Sequence, residues 1–471
     1  MLLEQLKDLL GTDGVLGPDD GIDRYVSEPR RRFHARPLAI VRPDSTEQLA
    51  RLVSLCRQQG IPMIAQGGHT GLVGGGSATT DGTELIISLE RLKRIRTIDE
   101  ADASMVVEAG CTLAAVREAA ETRGLMYPVS LASEGTATIG GTLATNAGGN
   151  LTIRYGNTRR QVLGLEVVLA DGRVLSELSP LRKDNSGFDV KQWFIGSEGT
   201  LGIITAATLA LMPLPSQQVT AMAGAESLED GLALLAHLRK TLGETLSVCE
   251  FMPRLAMEFV LDDLDGARDP FDRPWPWYVL VQSDSALSGQ WLENTVLESL
   301  QAAIEESKVG DVVIADSGAR ADELWQLRES ISSAQRVGGV SLKHDIAVPV
   351  GRIPGFVAAA TARLNQAVPG IRPCIFGHLG DGNLHFNLSQ PEGMARDAFL
   401  AQWTRYNDLI HDLVTGMGGS IAAEHGVGLL KAEALRRHKD PVELDLMRRI
   451  KLALDPENRL NPGKLIPGDE L

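Results

Sequence analysis

The sequence has no CxxC pair. Its four cysteines, Cys56, Cys111, Cys249 and Cys374, stand far apart, which excludes a disulfide framework or a clustered-thiol zinc site and fits a reduced compartment. No run approaches the ~20 apolar residues of a membrane span. The N-terminus, MLLEQLKDLLG, carries mixed charge and leads into polar sequence, so it reads as a short surface helix and not as a secretion signal. A cytoplasmic location is expected. Positive charge is outnumbered, with 46 Lys and Arg against 61 Asp and Glu, and the formal net charge of −15 disfavours nucleic acid or an acidic membrane as partner. Repeats and low-complexity tracts are also missing.

Glycine is abundant, with 49 in 471 residues, against a usual share of about 7%. The length exceeds one ordinary core, so two or more domains are expected. Ser45 followed by Gln48 fits a capping box opening a helix over 45–59, stopped by Gly60. Ile61 to Ala65, LIISL (85–89) and MVVEAG (105–110) read as strands, and Leu113 to Thr122 as a helix. VLGLEVVLADGRVL reads as a hairpin with a type I′ turn at Asp171-Gly172. Pro213 and Pro215 mark a boundary. Beyond it, helical patterns at 228–242, 289–306, 320–336 and 353–366 alternate with the short apolar runs WYVLVQ, DVVIA, VSLKHDIAVPV, CIFGHL and LHFNL. This mixture predicts an α+β domain around an antiparallel sheet.

Three glycine-punctuated segments lie in the first half: QGGHTGLVGGG, GTATIGGTLATNAGGN and FIGSEGTLGIIT. Glycines let the backbone approach a ligand closely, and successive N–H groups can converge on an anion. Gln66-Gly67-Gly68-His69-Thr70-Gly71 after a strand suits a diphosphate. It is neither a Walker loop nor the GxGxxG of a Rossmann helix. One such cluster alone would more often be a mobile surface loop, but three flanked by apolar strands point to a shared ligand.

PMIAQGGHTGLVGG, GTATIGGTLATNAGG, RYGNTRRQVLGLEVVLADG and FIGSEGTLGIIT resemble, in order, the FAD-binding half of the vanillyl-alcohol oxidase/PCMH-type flavoproteins. Within that superfamily the chain is similar to the D-lactate and D-2-hydroxyglutarate dehydrogenase branch. The resemblance implies an α+β fold: a two-subdomain PCMH-type FAD-binding domain over 1–215, an α+β substrate and metal cap with an antiparallel sheet over 216–430, and a helical segment over 431–471 returning near the flavin. It implies that Gln66, Gly67, Gly68, His69, Thr70 and Gly71 cradle the pyrophosphate. Thr138, Gly140, Gly141, Thr145, Asn146 and Gly148 would lie near the flavin, and Gly199 and Ile204 near the adenine side. The branch usually has Asn where this chain has His69, and relatives with covalent flavin carry a histidine there. Noncovalent FAD is expected.

A second constellation follows from spacing. In FGHLGDGNLHFN, a two-residue turn at Asp381-Gly382 would set Gly380 opposite Asn383, Leu379 opposite Leu384 and His378 opposite His385. Opposed residues share a face with Cβ atoms ~5 Å apart, close enough for two imidazoles to reach one metal at about 2.1 Å each. Asn387 falls on the same face. Such a pair is as often simply packed or hydrogen-bonded on a sheet. A carboxylate is still required, and Glu424 in SIAAEHGVG follows an apolar run that reads as a buried strand. The branch resemblance implies His378, His385 and Glu424 as ligands of a divalent metal, with zinc favoured by nitrogen donors, and His425 as base.

A third cluster suits substrate anions. Arg328 and Ser332 are one helical turn apart, and Lys343 projects from the run VSLKHDIAV. The bland alternative is a solvated charged face. The resemblance implies that Arg328, Ser332, Lys343, His378, Asn387 and His425 meet the substrate, although the branch usually has Thr at 332 and often Tyr where this chain has His344. Two unpaired cations in one pocket would suit a dicarboxylic substrate. The expected reaction is oxidation of a D-2-hydroxy acid to the 2-keto acid, with 2-hydroxyglutarate as first substrate and D-lactate or another short acid as alternative. A metallohydrolase with purely structural glycine loops is the reading from a different class. A soluble acceptor, such as an electron-transfer flavoprotein, and a homodimer are the expected partners.

Overall fold

The computed structural model describes residues 2–80 and 82–467. The chain forms two compact units: one of 1–149, 156–214 and 424–471, the other of 150–155 and 215–423. Divisions fall at Gly149–Asn150, Tyr155–Gly156, Leu214–Pro215 and Ala423–Glu424, and the C-terminal helices belong to the first unit. Among the described residues no helix is long and apolar enough to cross a membrane.

The first unit has two main sheets. The smaller runs Val15–Leu16, Ala39–Val41, Leu85–Ser88, Met63–Gln66, with the last three parallel. Helix Thr46–Gln58 is opened by Ser45, whose side chain accepts the Gln48 N–H. It buries Leu49, Leu52, Val53 and Cys56 in one core with Leu6, Leu10, Met63 and Leu85. The N-terminal helix Leu2–Leu10 is therefore half interior, since Leu6 and Leu10 fill that core. The larger sheet is antiparallel, in the order Ile95–Asp99, Ser104–Glu108, Ile203–Ala210, Val162–Val168, Val174–Glu177. The glycine segment after residue 135 is not irregular throughout: Ile139–Thr145 is a two-turn helix.

The second unit is built on an eight-stranded sheet, Asp311–Ile314, Gln217–Ala225, Trp277–Ser285, Leu246–Pro253, Arg372–His378, Asn383–Ser389, Ser341–Leu342, with Asp345–Ala347 also paired to Asn383–Ser389. All its pairings are antiparallel. Strand side chains alternate between two faces. Ala221, Phe251, Val279, Ile375 and Phe386 join one core with helices Leu228–Leu242, Trp291–Glu305, Ile353–Ala367 and Trp403–Gly416. Met222, Met252, Leu280, Cys374 and Phe376 join another with helices Arg254–Asp263 and Gly318–Glu329. Helices on both faces explain why these strands read as nearly continuous apolar runs.

Several local expectations change. Asp171-Gly172 was expected as a type I′ turn, which requires positive φ at both central residues, and Asp381-Gly382 as a two-residue turn. Only the glycines adopt it, Gly172 at 85° and Gly382 at 88°. The first hairpin therefore pairs Val168 with Val174 around a longer loop, and the second pairs His378 with Asn383. The helix expected over 320–336 breaks at Ser330 into Gly318–Glu329 and Ile331–Ala334. The expected strand through Lys343 is interrupted at Lys343 and His344. Ile421 to Ala423 form no strand: only Ser420 bridges, to Ala347.

Candidate functional site

In the first unit the glycine loop is folded by its own polar side chain. Gln66, expected at the diphosphate, donates its amide to the carbonyls of Tyr25 and Gly76, both at 2.8 Å, closing the loop between them. Gly67 and Gly68 press against the second glycine segment. A Cβ at Gly67 would lie 2.3 Å from Thr138 Oγ1, and one at Gly68 would lie 1.9 Å from the Thr136 carbonyl oxygen. The two segments thus form one closely apposed surface, as a shared ligand requires. Thr138 Oγ1 and His69 Nε2 are buried there without hydrogen-bond partners. His69 has left-handed φ, and its Nδ1 lies 3.4 Å from the Arg24 carbonyl. Burial pushes the imidazole pKa down. Thr70 is half-buried and Gly71 exposed.

On the other side of this surface, Gly140 N–H donates to Ala109 O, Thr145 Oγ1 donates to Gly141 O, and Asn146, at φ 49°, accepts the Arg159 N–H. Gly148 is buried. Gly199 has φ 72°. Ile204 buries its side chain in the core of the larger sheet, which leaves its backbone for any ligand contact. Orphaned hydroxyl and imidazole atoms beside glycines that admit no Cβ are what a bound dinucleotide needs, so these residues fit FAD.

The same unit carries Glu424 and His425, both half-buried in an irregular loop. Glu198, buried and at φ 52°, fastens that loop: its carboxylate accepts the N–H groups of Val427 and Gly428, each at 2.8 Å. Burial raises the Glu198 pKa against the pull of those two bonds.

In the second unit, the expected histidine register is corrected. His378 pairs with Asn383, and His385 pairs with Phe376. The shift spans two positions in total, so His378, Asn383, His385 and Asn387 still share one face. The two rings lie 6.0 Å apart, nearly perpendicular; two imidazoles on one ion at about 2.1 Å each would have centroids roughly 5–6 Å apart. His378 Nδ1 lies 3.2 Å from Asp381 Oδ2. A carboxylate only accepts, so that nitrogen carries a proton. This half of a divalent-cation shell fits. Among the described residues, however, no group of three His, Cys, Asp or Glu side chains is preassembled as a metal site.

Sequence reasoning missed Glu250. It sits directly opposite His378 on the neighbouring strand, fully buried. One oxygen accepts from Arg328 Nε at 2.6 Å, and the other lies 3.5 Å from His378 Nε2. A lone glutamate in the apolar run LSVCEFMP was the available signal. Arg328, also stacked over Phe376 at 4.9 Å, is therefore not an unpaired cation. Lys343 Nζ donates to the Ser332 carbonyl at 2.9 Å, and Ser332 itself is exposed. The premise of two unpaired cations fails. Asn387 donates to Gln335 at 3.2 Å.

Comparison with known proteins agrees with the architecture. Residues 37–176 match the FAD binding domain, and residues 214–465 match the C-terminal domain of FAD linked oxidases. The chain is 38% identical to D-2-hydroxyglutarate dehydrogenase of Xanthomonas citri pv. viticola over 94% of this chain and 92% of that protein. It is 33% identical to the enzyme of that name from Stutzerimonas stutzeri, over 98% of each chain. The mitochondrial D-2-hydroxyglutarate dehydrogenase of Arabidopsis thaliana is 35% identical over 98% of this chain and 80% of its own length. Among solved structures, p-cresol methylhydroxylase superposes with TM-score 0.77 at 18% identity over 99% of this chain and 96% of its own, which supports the PCMH-type fold. The flavin family sets aside the metallohydrolase reading. The chain belongs to the FAD-linked oxidases and is an FAD-dependent oxidoreductase with near-full-length relatives among the D-2-hydroxyglutarate dehydrogenases.

Proposed function

We propose that this protein oxidises a D-2-hydroxy acid, D-2-hydroxyglutarate first, to the corresponding 2-keto acid. The observation that carries the reading is the single face of the second unit that gathers Arg328, His378, His385 and Asn387. A guanidinium, two imidazoles and an amide in one place suit an oxygen-rich anion. The names of the relatives then select the substrate class.

The glycine segments around Gly67, Gly68 and Thr138 would hold FAD, which would supply the acceptor for the hydride that leaves the α-carbon. A divalent ion, zinc by the donor set, would be held by His378 and His385 with Glu424 as third ligand and would supply polarisation of the hydroxyl. The protein's own groups do the rest. Arg328, steadied by Glu250, grips a substrate carboxylate, and Asn387 and Lys343 supply further donors. His425 takes the hydroxyl proton as general base. Loss of that proton and of the α-hydrogen with its electron pair leaves the keto product. A soluble electron carrier would take the two electrons onward.

One observation favours the second reading, a short monocarboxylic acid such as D-lactate. The Glu250 carboxylate already balances the charge of Arg328, so a distal carboxylate is not demanded by the pocket. A dye-linked assay decides between them. D-2-hydroxyglutarate should have the highest kcat/KM of a panel with D-malate and D-lactate; if D-lactate leads, the first substrate assignment fails.

A further inference from the structure

The segment after the last helix, Pro441–Leu454, is held down by a buried ion pair. Lys451 Nζ bonds Asp455 and donates to the carbonyls of Thr200 at 2.9 Å and Leu460 at 2.8 Å. Asp455 accepts the N–H groups of Arg459 and Leu460 in return. Charges this deep persist only when fully paired, as these are. The clamp fixes the path of the next residues. Leu460 bridges Met63 on the strand before the first glycine loop, and the Leu465 N–H donates to Gly428 O at 3.2 Å.

Asn461 lies on that path, buried and at φ 47°. Its Nδ2 donates to Gly75 O at 2.9 Å and to Glu198 O at 2.6 Å, which ties the first glycine segment to the third. A Cβ at Gly199 would lie 3.8 Å from the same nitrogen. Carbonyls only accept, so the nitrogen must face them and Oδ1 must point elsewhere. Among the described residues that buried oxygen has no donor. Three residues on, Lys464 is 2% exposed and its Nζ has no acceptor. Burial pushes its ammonium down to about 8, with Glu84 pulling the other way, but the Glu84 oxygens are already bound by Thr79 and Thr80. Ser77 Oγ, two residues beyond Gly75, is also buried without a partner.

Buried polar atoms are nearly always bonded, so a group outside the polypeptide is called for. An orphan acceptor and an orphan donor together select its chemistry. A diphosphate only accepts, and would leave Asn461 Oδ1 unmet. A heterocycle edge that sets N–H beside an acceptor meets both. FAD carries two such edges, on the isoalloxazine ring and on adenine.

We infer that Asn461 and Lys464 belong to the cofactor site: Asn461 joins two glycine segments through Nδ2, and its Oδ1, with Lys464 Nζ, receives a donor–acceptor edge of FAD. This rests on the reading that the glycine segments hold FAD and goes beyond it, adding to the cradle residues that lie up to 386 positions from Gly75 or further.

The test strips FAD from the purified protein and titrates it back, with binding read from flavin fluorescence. Lys464→Met should bind FAD at least ten-fold more weakly, and Lys464→Arg should recover most of that loss. Asn461→Ala should lose more, because it also parts the two segments. The bound flavin separates the two edges: its absorption maxima and reduction potential move in Lys464→Met if the isoalloxazine edge is held there, and stay if adenine is. FAD affinity within two-fold of wild type in either variant overturns the inference, even if Tm falls, since the segment would then be structural only. Should Asn461→Ala not accumulate, Lys464→Met alone decides. A wild type that takes up no FAD would instead defeat the cofactor reading beneath it.

Discussion

Glu198 holds Gly428 across 230 residues of sequence, its Oε2 accepting the Gly428 N–H at 2.8 Å while Oε1 accepts that of Val427. One glutamate therefore ties the third glycine segment to the loop that carries Glu424 and His425. Glu198→Ala would leave two backbone N–H groups without their acceptor, at about 1–3 kcal/mol each. The variant should lose several degrees of Tm. It should also reduce its flavin at least ten-fold more slowly per bound FAD, measured by anaerobic stopped flow with substrate. Glu198→Gln, which keeps one acceptor oxygen, should lose less of both. A normal rate per flavin in Glu198→Ala would mean that the loop does not depend on this anchor.

The histidine pair and the glycine loops lie in different units. Removing an imidazole should therefore spare the flavin. His378→Ala and His385→Ala are expected to retain FAD in near-wild-type ratio and to lose turnover by a thousand-fold or more, since the proposed cation would lose a ligand and the hydroxyl its activation. Flavin absorbance and dye reduction measured on the same preparation provide the check. Flavin-free protein from either variant would contradict the independence of the two sites.

The glycine loops were readable because their message is local: a strand, then residues whose lack of Cβ lets backbone meet backbone. The shared face of His378, His385 and Asn387 was also readable, because strand alternation survives a two-position error in register. The turn was misread at both Asp-Gly pairs, and with it the register at Asp381-Gly382, for one reason. Asp171 and Asp381 do not take positive φ, so only the glycine is left-handed and each loop grows. Glu250 and Glu198 escaped notice for a different reason. A buried carboxylate on a strand or in a loop has meaning only through partners 78 or 230 residues away, and no periodicity reports those. Reading Arg328 as unpaired was the direct consequence of missing Glu250.

In the first unit, Glu108 and Glu166 both stand opposite Ala206, one on each flanking strand, with Arg96 bridging them at 3.3 and 3.0 Å. Burial raises both carboxyl pKa values. For Glu108 the bonds from Arg94 and Arg96 outweigh that effect, and for Glu166 those from Arg96, Thr46 and Thr205 do, so both end below the ordinary value. Folded pKa values below the unfolded ones give stability that is complete above the ordinary carboxyl range, about pH 4–5, and lost as pH falls through the folded values. Thermal stability should therefore drop steeply on acidification below that range. Arg96→Ala should cost about 2–3 kcal/mol at neutral pH and flatten the acid limb. Equal acid slopes for wild type and variant in Tm-against-pH curves would refute the assignment.

Gly68 and Gly71 lie in one loop yet should respond oppositely to the same substitution. A Cβ at Gly68 would sit 1.9 Å from the Thr136 carbonyl oxygen, and next 2.8 Å from its carbon and 3.2 Å from Ala137 Cα. All three are backbone atoms, which no rotamer change can move aside. The two segments would have to separate, and the surface proposed to hold the cofactor would open. At Gly71 nothing lies within 4 Å of an added Cβ, and its φ is not left-handed. Gly68→Ala is thus expected to purify with little or no flavin, and Gly71→Ala with a full complement, as read from the ratio of flavin to protein absorbance. Reconstitution separates weakened affinity from misfolding: excess FAD should restore part of the Gly68→Ala activity if only the cradle is distorted. Full flavin content in Gly68→Ala would mean that the close contact between the two glycine segments is not what holds the cofactor.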